Sequence, residues 1–278
     1  MPTRARVLSS GFGAAVLCCA PALAQSINVA IGPAGSTPPG SQYGGAGRPG
    51  VWNVIEALHA SSQFGIVDID GNPTGLRIRQ VGGTAPLSSD DPATAGDDEL
   101  LMDHCMRTFT ANLETCIYVD FLEPGEYEAI VYAWMPNAPD IRAYVSCDEE
   151  PGFPHHIVGG AWPGGHAEFV TYSRHSAIVG LNGQLRLHSG IVPGHPAALG
   201  AAMNGFQLRR LPAFLAGDMN CDGVVSVADI GGFVLALTDP GAYAGTYPDC
   251  DAAHADLSGD GTVGVSDIGP FVALLTGP

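Results

Sequence analysis

The chain has 278 residues and sets 28 Asp plus Glu against 11 basic residues, all of them Arg, for a formal charge of -17. That balance excludes a phosphate-tracking nucleic-acid binder, which needs clustered cations to displace counterions, and it excludes membrane adhesion through basic patches. With 46% hydrophobic residues the chain is no disordered acidic tail, and its length suits one or two domains with a real core.

At the N-terminus, Arg4 and Arg6 precede an apolar stretch from Gly11 to Ala20, and Pro21-Ala22-Leu23-Ala24 places small residues at minus three and minus one of a cleavage site. This is the pattern of a secretory signal over residues 1–24. A lipoprotein signal needs a small residue before Cys18 or Cys19, where Leu17 and Cys18 stand instead. No other long apolar run follows, so the chain is not expected to span a membrane. Its expected destination is secreted, extracellular or at the cell surface. Export permits disulfides, and Cys105, Cys116, Cys147, Cys221 and Cys250 lie beyond the signal.

Residues 25–211 read as many short strands divided by Gly, Pro and Asn/Asp turns. Residues 33–50, rich in Gly, Pro and Ser, are expected to form an irregular, partly mobile surface segment. Asp68 to Gly75 is a turn, and Asp97 to Arg107 is the one stretch with helical character. Thr115, Ile117, Val119 and Phe121 alternate on one face, Glu123-Pro124-Gly125-Glu126 turns the chain and Tyr127 to Met135 runs back, which predicts a hairpin. Ile141, Ala143, Val145 and Cys147 alternate again, Asn182-Gly183 signals a tight turn before Leu185 and Leu187, and Phe206 and Leu208 mark a last strand. Strands with one apolar face must bury it, so the expected fold class is mainly β, an antiparallel β-sandwich. Cys105 and Cys116 are the closest of the three Cys here, and the sequence leaves their pairing with each other or with Cys147 open.

No Lys or Arg follows Arg210, so composition divides the chain near residue 212. Residues 212–216 read as a tight linker. Beyond it, 217–278 contains a repeat: Gly217 to Leu237 recurs, from Asp256 to Leu275, at an offset of 38 residues. Each copy spells a twelve-position loop of oxygen ligands. Asp218, Asn220 and Asp222 take positions 1, 3 and 5, Gly223 takes 6, the Val224 carbonyl 7, Ser226 9 and Asp229 12. The second copy has Asp256, Ser258, Asp260, Gly261, Thr262, Gly264 and Asp267 in those places, with water expected to stand in at Gly264. A hard divalent cation wants six to eight oxygens, alternate positions point inward, and the Gly permits the sharp turn, so the pattern predicts two calcium ions. One short helix follows each loop. Ile230, Phe233, Val234 and Leu237 recur as Ile268, Phe271, Val272 and Leu275, stripes that are expected to bury against each other. Cys221 and Cys250, the only two here, are expected to form a disulfide around a loop of about 30 residues.

On these residues the C-terminal region resembles a type I dockerin, a small α-helical module with paired EF-hand-like calcium loops. The resemblance implies a protein partner of the cohesin type or another cell-surface protein. The chain differs from that pattern at loop positions 10 and 11, Val227-Ala228 and Val265-Ser266, and in the long connection from Asp239 to Ala255. Leu122 to Trp134 and the closing Asn204-Gly205-Phe206-Gln207-Leu208 resemble galactose-binding-like, carbohydrate-binding jelly-roll domains. That resemblance implies a polysaccharide ligand.

Sugar rings stack on flat aromatic faces, which singles out Trp162 in the Gly159 to Gly165 loop, then Trp134 and Trp52. No nucleophile elbow, phosphate loop or zinc-binding helix is present, and Glu123, Glu126, Glu128, Asp140 and Glu168 are the carboxylates from which a glycosidase pair would come. Three readings follow. The chain is a non-catalytic glycan binder with a calcium tail, a polysaccharide-active hydrolase or lyase, or a surface-layer component with no sugar ligand.

Overall fold

A computed structural model describes residues 26–110, 113–194, 200–211, 215–248 and 250–276. The expected secretory signal, residues 1–24, lies outside the described residues, as do 212–214 of the expected linker.

The strands are β1 (Ile27–Gly32), β2 (Trp52–Glu56), β3 (Ala60–Gln63), β4 (Arg77–Gly82), β5 (Ala85–Ser88), β6 (His104–Thr108), β7 (Glu114–Asp120), β8 (Gly125–Tyr132), β9 (Ala143–Cys147), β10 (His156–Val158), β11 (Tyr172–Val179), β12 (Gln184–Ile191), β13 (Ala201–Met203) and β14 (Gly205–Arg210). One helix, α1 (Asp97–Met102), interrupts them. A five-stranded sheet runs β11-β8-β14-β1-β2, a six-stranded sheet β10-β9-β12-β7-β4-β3, and a small third sheet β13-β6-β5. The pairing is antiparallel except between β1 and β2, where Val29 lies beside Asn53 in parallel register. The expected sandwich is thus present with one parallel pair.

Alternation along the strands builds the core. Val29 of β1, Ala129 and Val131 of β8 and Phe206 of β14 share one buried cluster with Ile117 and Val119 of β7 and Leu185 and Leu187 of β12. Burying each large side chain stabilises the fold by about 1.5–3 kcal/mol.

The predicted hairpin is not formed. β7 pairs with β4 and β12, whereas β8 pairs with β11 and β14 in the other sheet. Both strands carry a mainly apolar face, and the two faces bury each other only from opposite sheets. The crossing is made at Phe121, which adopts φ 70°, after which Leu122 turns into the core. The Asn182-Gly183 turn likewise links β11 and β12, which belong to different sheets. The helical expectation over Asp97 to Arg107 shrinks to α1, because Cys105 and Met106 are drawn into β6. Residues 33–50 are irregular but pinned: Gly40 N–H donates to Asp97 (2.7 Å), Ala46 N–H to the Tyr132 hydroxyl (2.7 Å), and the Arg48 carbonyl accepts from Gln207 (2.9 Å). Cys105, Cys116 and Cys147 are all free and buried.

Asp120 ends β7 under two guanidinium groups, 2.6 Å from Arg79 and 2.9 Å from Arg77, and also accepts from Gln184 (2.7 Å). The Arg79 hydrogen bond, helped by Gln184 and Arg77, holds its carboxyl down to about 2. A depressed native value adds stability that is fully present above the unfolded value of about 3.9 and is lost as pH falls through the native one. Thermal melts should therefore drop between about pH 4 and pH 2, and Asp120→Asn should flatten that part of the profile. An unchanged acid limb in the variant would show that Asp120 is not its source.

After residue 215 the chain is helical, with α2 (Ile230–Thr238), α3 (Pro240–Thr246) and α4 (Ile268–Thr276). Phe233 and Phe271 stack with centroids 4.0 Å apart over a core that includes Met219, Ala236, Tyr243 and Ala255. The predicted stripes bury only in part. Ile230 and Ile268 are each 44% exposed and Val234 and Val272 about half exposed, because Ala236 and the unpredicted α3 supply the packing instead. Cys221 and Cys250 form the expected disulfide, Cα atoms 5.8 Å apart.

Candidate functional site

Two places gather chemistry-bearing side chains. The first is the outer face of the five-stranded sheet. Tyr132 and Trp134, at the end of β8 and just beyond it, alternate away from the inter-sheet core and join Trp52, Leu101 and Met102 in a second buried cluster. The 33–50 segment, α1 and the 159–171 loop roof this cluster. Trp52 and Trp134 are only 4% and 2% exposed, their indole N–H groups donating to the carbonyls of Tyr43 (3.0 Å) and Gly160 (2.8 Å). Neither offers an open ring face, which corrects the expectation for both: they form the floor. Trp162, half-buried, stands edge-on to Trp134 with centroids 5.2 Å apart and keeps part of its ring in solvent. All three tryptophans singled out in the sequence thus meet in one cluster, with one of them at its rim.

Residues that sequence reasoning missed complete the rim. The Tyr43 hydroxyl lies 2.6 Å from Asp98 Oδ1 and 2.5 Å from His166 Nε2, and His166 Nδ1 lies 3.3 Å from Thr171 Oγ1. Proton counting fixes the first contact: Tyr43 has one proton, which goes to the carboxylate, so His166 donates from Nε2, while the Thr171 hydroxyl donates to the Ala167 carbonyl (3.1 Å). Burial lowers the His166 pKa, opposed by the Asp98 charge, and raises that of Tyr43, reinforced by the Asp98 hydrogen bond. A neutral imidazole beside the carboxylate follows. His166 sits edge-on to Tyr132 (5.1 Å) and Trp162 (5.8 Å), so one network sets the angle of the half-buried indole. Asp98 Oδ2 has no protein partner among the described residues. The rim therefore presents an aromatic face beside an oriented, available carboxylate oxygen.

The second place is the pair of C-terminal loops, where one backbone network occurs twice. The position 1 carboxylates, Asp218 and Asp256, accept from the N–H groups of positions 5 and 6: Asp222 (3.2 Å) and Gly223 (2.8 Å), then Asp260 (3.2 Å) and Gly261 (2.9 Å). The position 12 carboxylates, Asp229 and Asp267, accept from positions 2, 3 and 9: Met219, Asn220 and Ser226, then Leu257, Ser258 and Gly264, all within 3.1 Å. At position 5, Asp222 and Asp260 each accept from the position 7 N–H at 2.9 Å. Gly223 and Gly261, both at position 6, take φ 87° and 84°, as the sharp turn requires.

Asp218, Asp229 and Asp267 are fully buried in a region with no Lys or Arg. Burial raises the Asp218 pKa, and the nearby Asp229 and Asp222 charges push it the same way, opposed by hydrogen bonds from Gly223 and Asp222. An all-oxygen donor set with unneutralised buried carboxylates fits a hard divalent cation. The loop acids are, however, held mainly by backbone N–H groups, and no three of them are drawn within 4.8 Å of one another. Among the described residues, that closeness is reached by Asp90, Glu99 and Asp103. In that group Asp103 accepts from Asp91 N–H (2.7 Å) and the Thr94 hydroxyl (2.8 Å), so it fastens the loop before α1.

One further alignment was not read from the sequence. Ser173 Oγ lies 2.9 Å from His175 Nε2, and His175 Nδ1 lies 2.6 Å from Glu150. The spacing is that of a nucleophile relay, yet Ser173 is fully buried and His175 is 1% exposed, so no substrate reaches the hydroxyl. Of the glycosidase candidates, Glu123 pairs with Arg210 and Glu128 with Arg174 and Arg209.

No protein-family profile matches the chain, and no curated protein matches it. Solved structures with some likeness include the ANXUR2 extracellular domain from Arabidopsis thaliana, at 12% identity over 68% of this chain and 42% of that one, with a TM-score of 0.39. They also include TmCBM61 in complex with beta-1,4-galactotriose, at 12% identity over 48% and 88% with a TM-score of 0.30. A third is the CBM51-2 and INT domains of Clostridium perfringens ZmpB, at 10% identity over 61% and 35% with a TM-score of 0.28. The chain spans less than half the length of the plant ectodomain. At these scores the likenesses say nothing about a ligand.

Proposed function

We propose that the chain is an exported, non-catalytic protein whose β-sandwich binds carbohydrate and whose C-terminal module, held by two calcium ions, attaches it to a protein partner. The observation that carries the reading is the recurrence of the loop network at the same positions of both copies. Asp218, Asn220, Asp222, the Val224 carbonyl, Ser226 and Asp229 would hold the first ion. Asp256, Ser258, Asp260, the Thr262 carbonyl and Asp267 would hold the second, with a water at Gly264. Calcium supplies the positive charge this module lacks. Attachment is supported by the apolar residues left in solvent at matching positions of the copies, Val227 (77% exposed) and Val265 (85%), continued by Ile230 and Ile268. A surface so placed suits a cohesin-like or other cell-surface partner.

The carbohydrate part rests on the rim. Trp162 offers its indole to the C–H face of a sugar ring, and Asp98 accepts from a sugar hydroxyl while Tyr43 and His166 hold it in place. A panel of polysaccharides tests this reading, scoring retention and reducing-sugar release together. Retention without release is expected. Release that disappears when one carboxylate is substituted would make the chain an enzyme, and neither signal would leave a surface-layer component.

A further inference from the structure

Where β2 ends one sheet and β3 ends the other, an open groove of about 610 Å³ lies between the two strand edges and the Pro33–Ser36 loop. Among the described residues β2 pairs only with β1 and β3 only with β4, so the far side of each is a row of unpaired backbone groups. Bare edges accept extended chains, and natural proteins guard them with Lys, Pro, bulges or inward charges. β3, Ala60-Ser61-Ser62-Gln63, is guarded only by its shortness, four residues, and carries no Lys, Pro or charge. The side chains of Glu56, Ser61, Ser62 and Gln63 line the groove without a hydrogen bond or ion pair among the described residues, and Leu58 beside them is 40% exposed.

The lining argues for one occupant. It contains no aromatic ring, which a sugar would want as a platform, and its single charge is negative. A second copy of this chain pairing β3 to β3 about a two-fold axis would bring two Glu56 carboxylates into one groove, an unfavourable pairing of like charges. We infer that the groove is a second binding site, for an extended segment of a partner protein that adds as a strand to β3 and sets a Lys or Arg against Glu56. Main-chain pairing would supply affinity, and Glu56 and Leu58 the choice of side chain. This does not depend on the glycan reading, since the rim site uses the outer face of the five-stranded sheet.

Selection of random linear dodecapeptides against the purified protein, repeated with Glu56→Arg, tests it. Enriched peptides should alternate β-branched residues around one Lys or Arg, bind the variant about ten-fold more weakly and slow hydrogen exchange over Ala60–Gln63. Glu56→Gln, which keeps the side chain's shape, should give an intermediate loss. The inference is overturned if no peptide is enriched, if enriched peptides bind Glu56→Arg equally well, or if cellohexaose rather than peptide protects Ala60–Gln63.

Discussion

Chelating calcium will unfold the module that begins at residue 217 while the β-sandwich stays folded, and adding calcium back will restore it. The module carries nine Asp, no Glu and no Lys or Arg, and six of the nine occupy the proposed ligand positions. Without a cation those charges repel, and Asp218, Asp229 and Asp267 stay buried with hydrogen bonds, mostly from backbone N–H groups, as their partners. Its core centres on six buried residues, too few to carry such repulsion alone. At free calcium a hundred-fold above its dissociation constant, each site adds about 2.7 kcal/mol to stability. The disulfide opposes unfolding throughout, worth about 3–4 kcal/mol for a loop of this length, so chelator plus reductant should act more strongly than either alone. Far-UV circular dichroism with thermal melts reads both effects. A helical signal and melting profile indifferent to chelator would exclude coupling of metal to fold.

Trp162→Ala will lower affinity for the retained polysaccharide about thirty-fold, the roughly 2 kcal/mol of an aromatic anchor, and leave the melting temperature nearly unchanged. The indole stands at the rim of the cluster and part of it is in solvent, so its removal opens a smaller cavity than that of a buried Trp. Trp134→Ala makes the contrast: it removes the buried floor and should cost about 3–5 kcal/mol of stability as well as binding. Asp98→Asn should weaken binding without unfolding, because the amide retains shape but gives up the charge that receives the Tyr43 proton. Equal retention by wild type and Trp162→Ala would move the sugar site away from this rim.

Strand faces were legible because alternation reports which side of a strand is buried, as at Ile117, Val119, Leu185 and Leu187. Partners were not, since a strand with an apolar face buries it equally well in either sheet, and a Pro-Gly turn does not say whether the chain folds back or crosses over. That is why β7 and β8 read as a hairpin. The tryptophans were legible as a set by type alone. Their fates were not, because the roof over Trp52 and Trp134 comes from segments far away in sequence. Tyr43 and His166, 123 residues apart, carried no local signal linking them. In the tail, a duplicated spacing fixed both loops, whereas α3 was missed although Asp239-Pro240, an N-cap followed by Pro at the first helical position, announces it.

Calcium stoichiometry by isothermal titration of the intact protein tests the account most directly. Two ions should bind per chain, with one lost in Asp218→Ala and a different one in Asp256→Ala. No binding heat in the wild type, or two ions still bound when both carboxylates are removed, would contradict it.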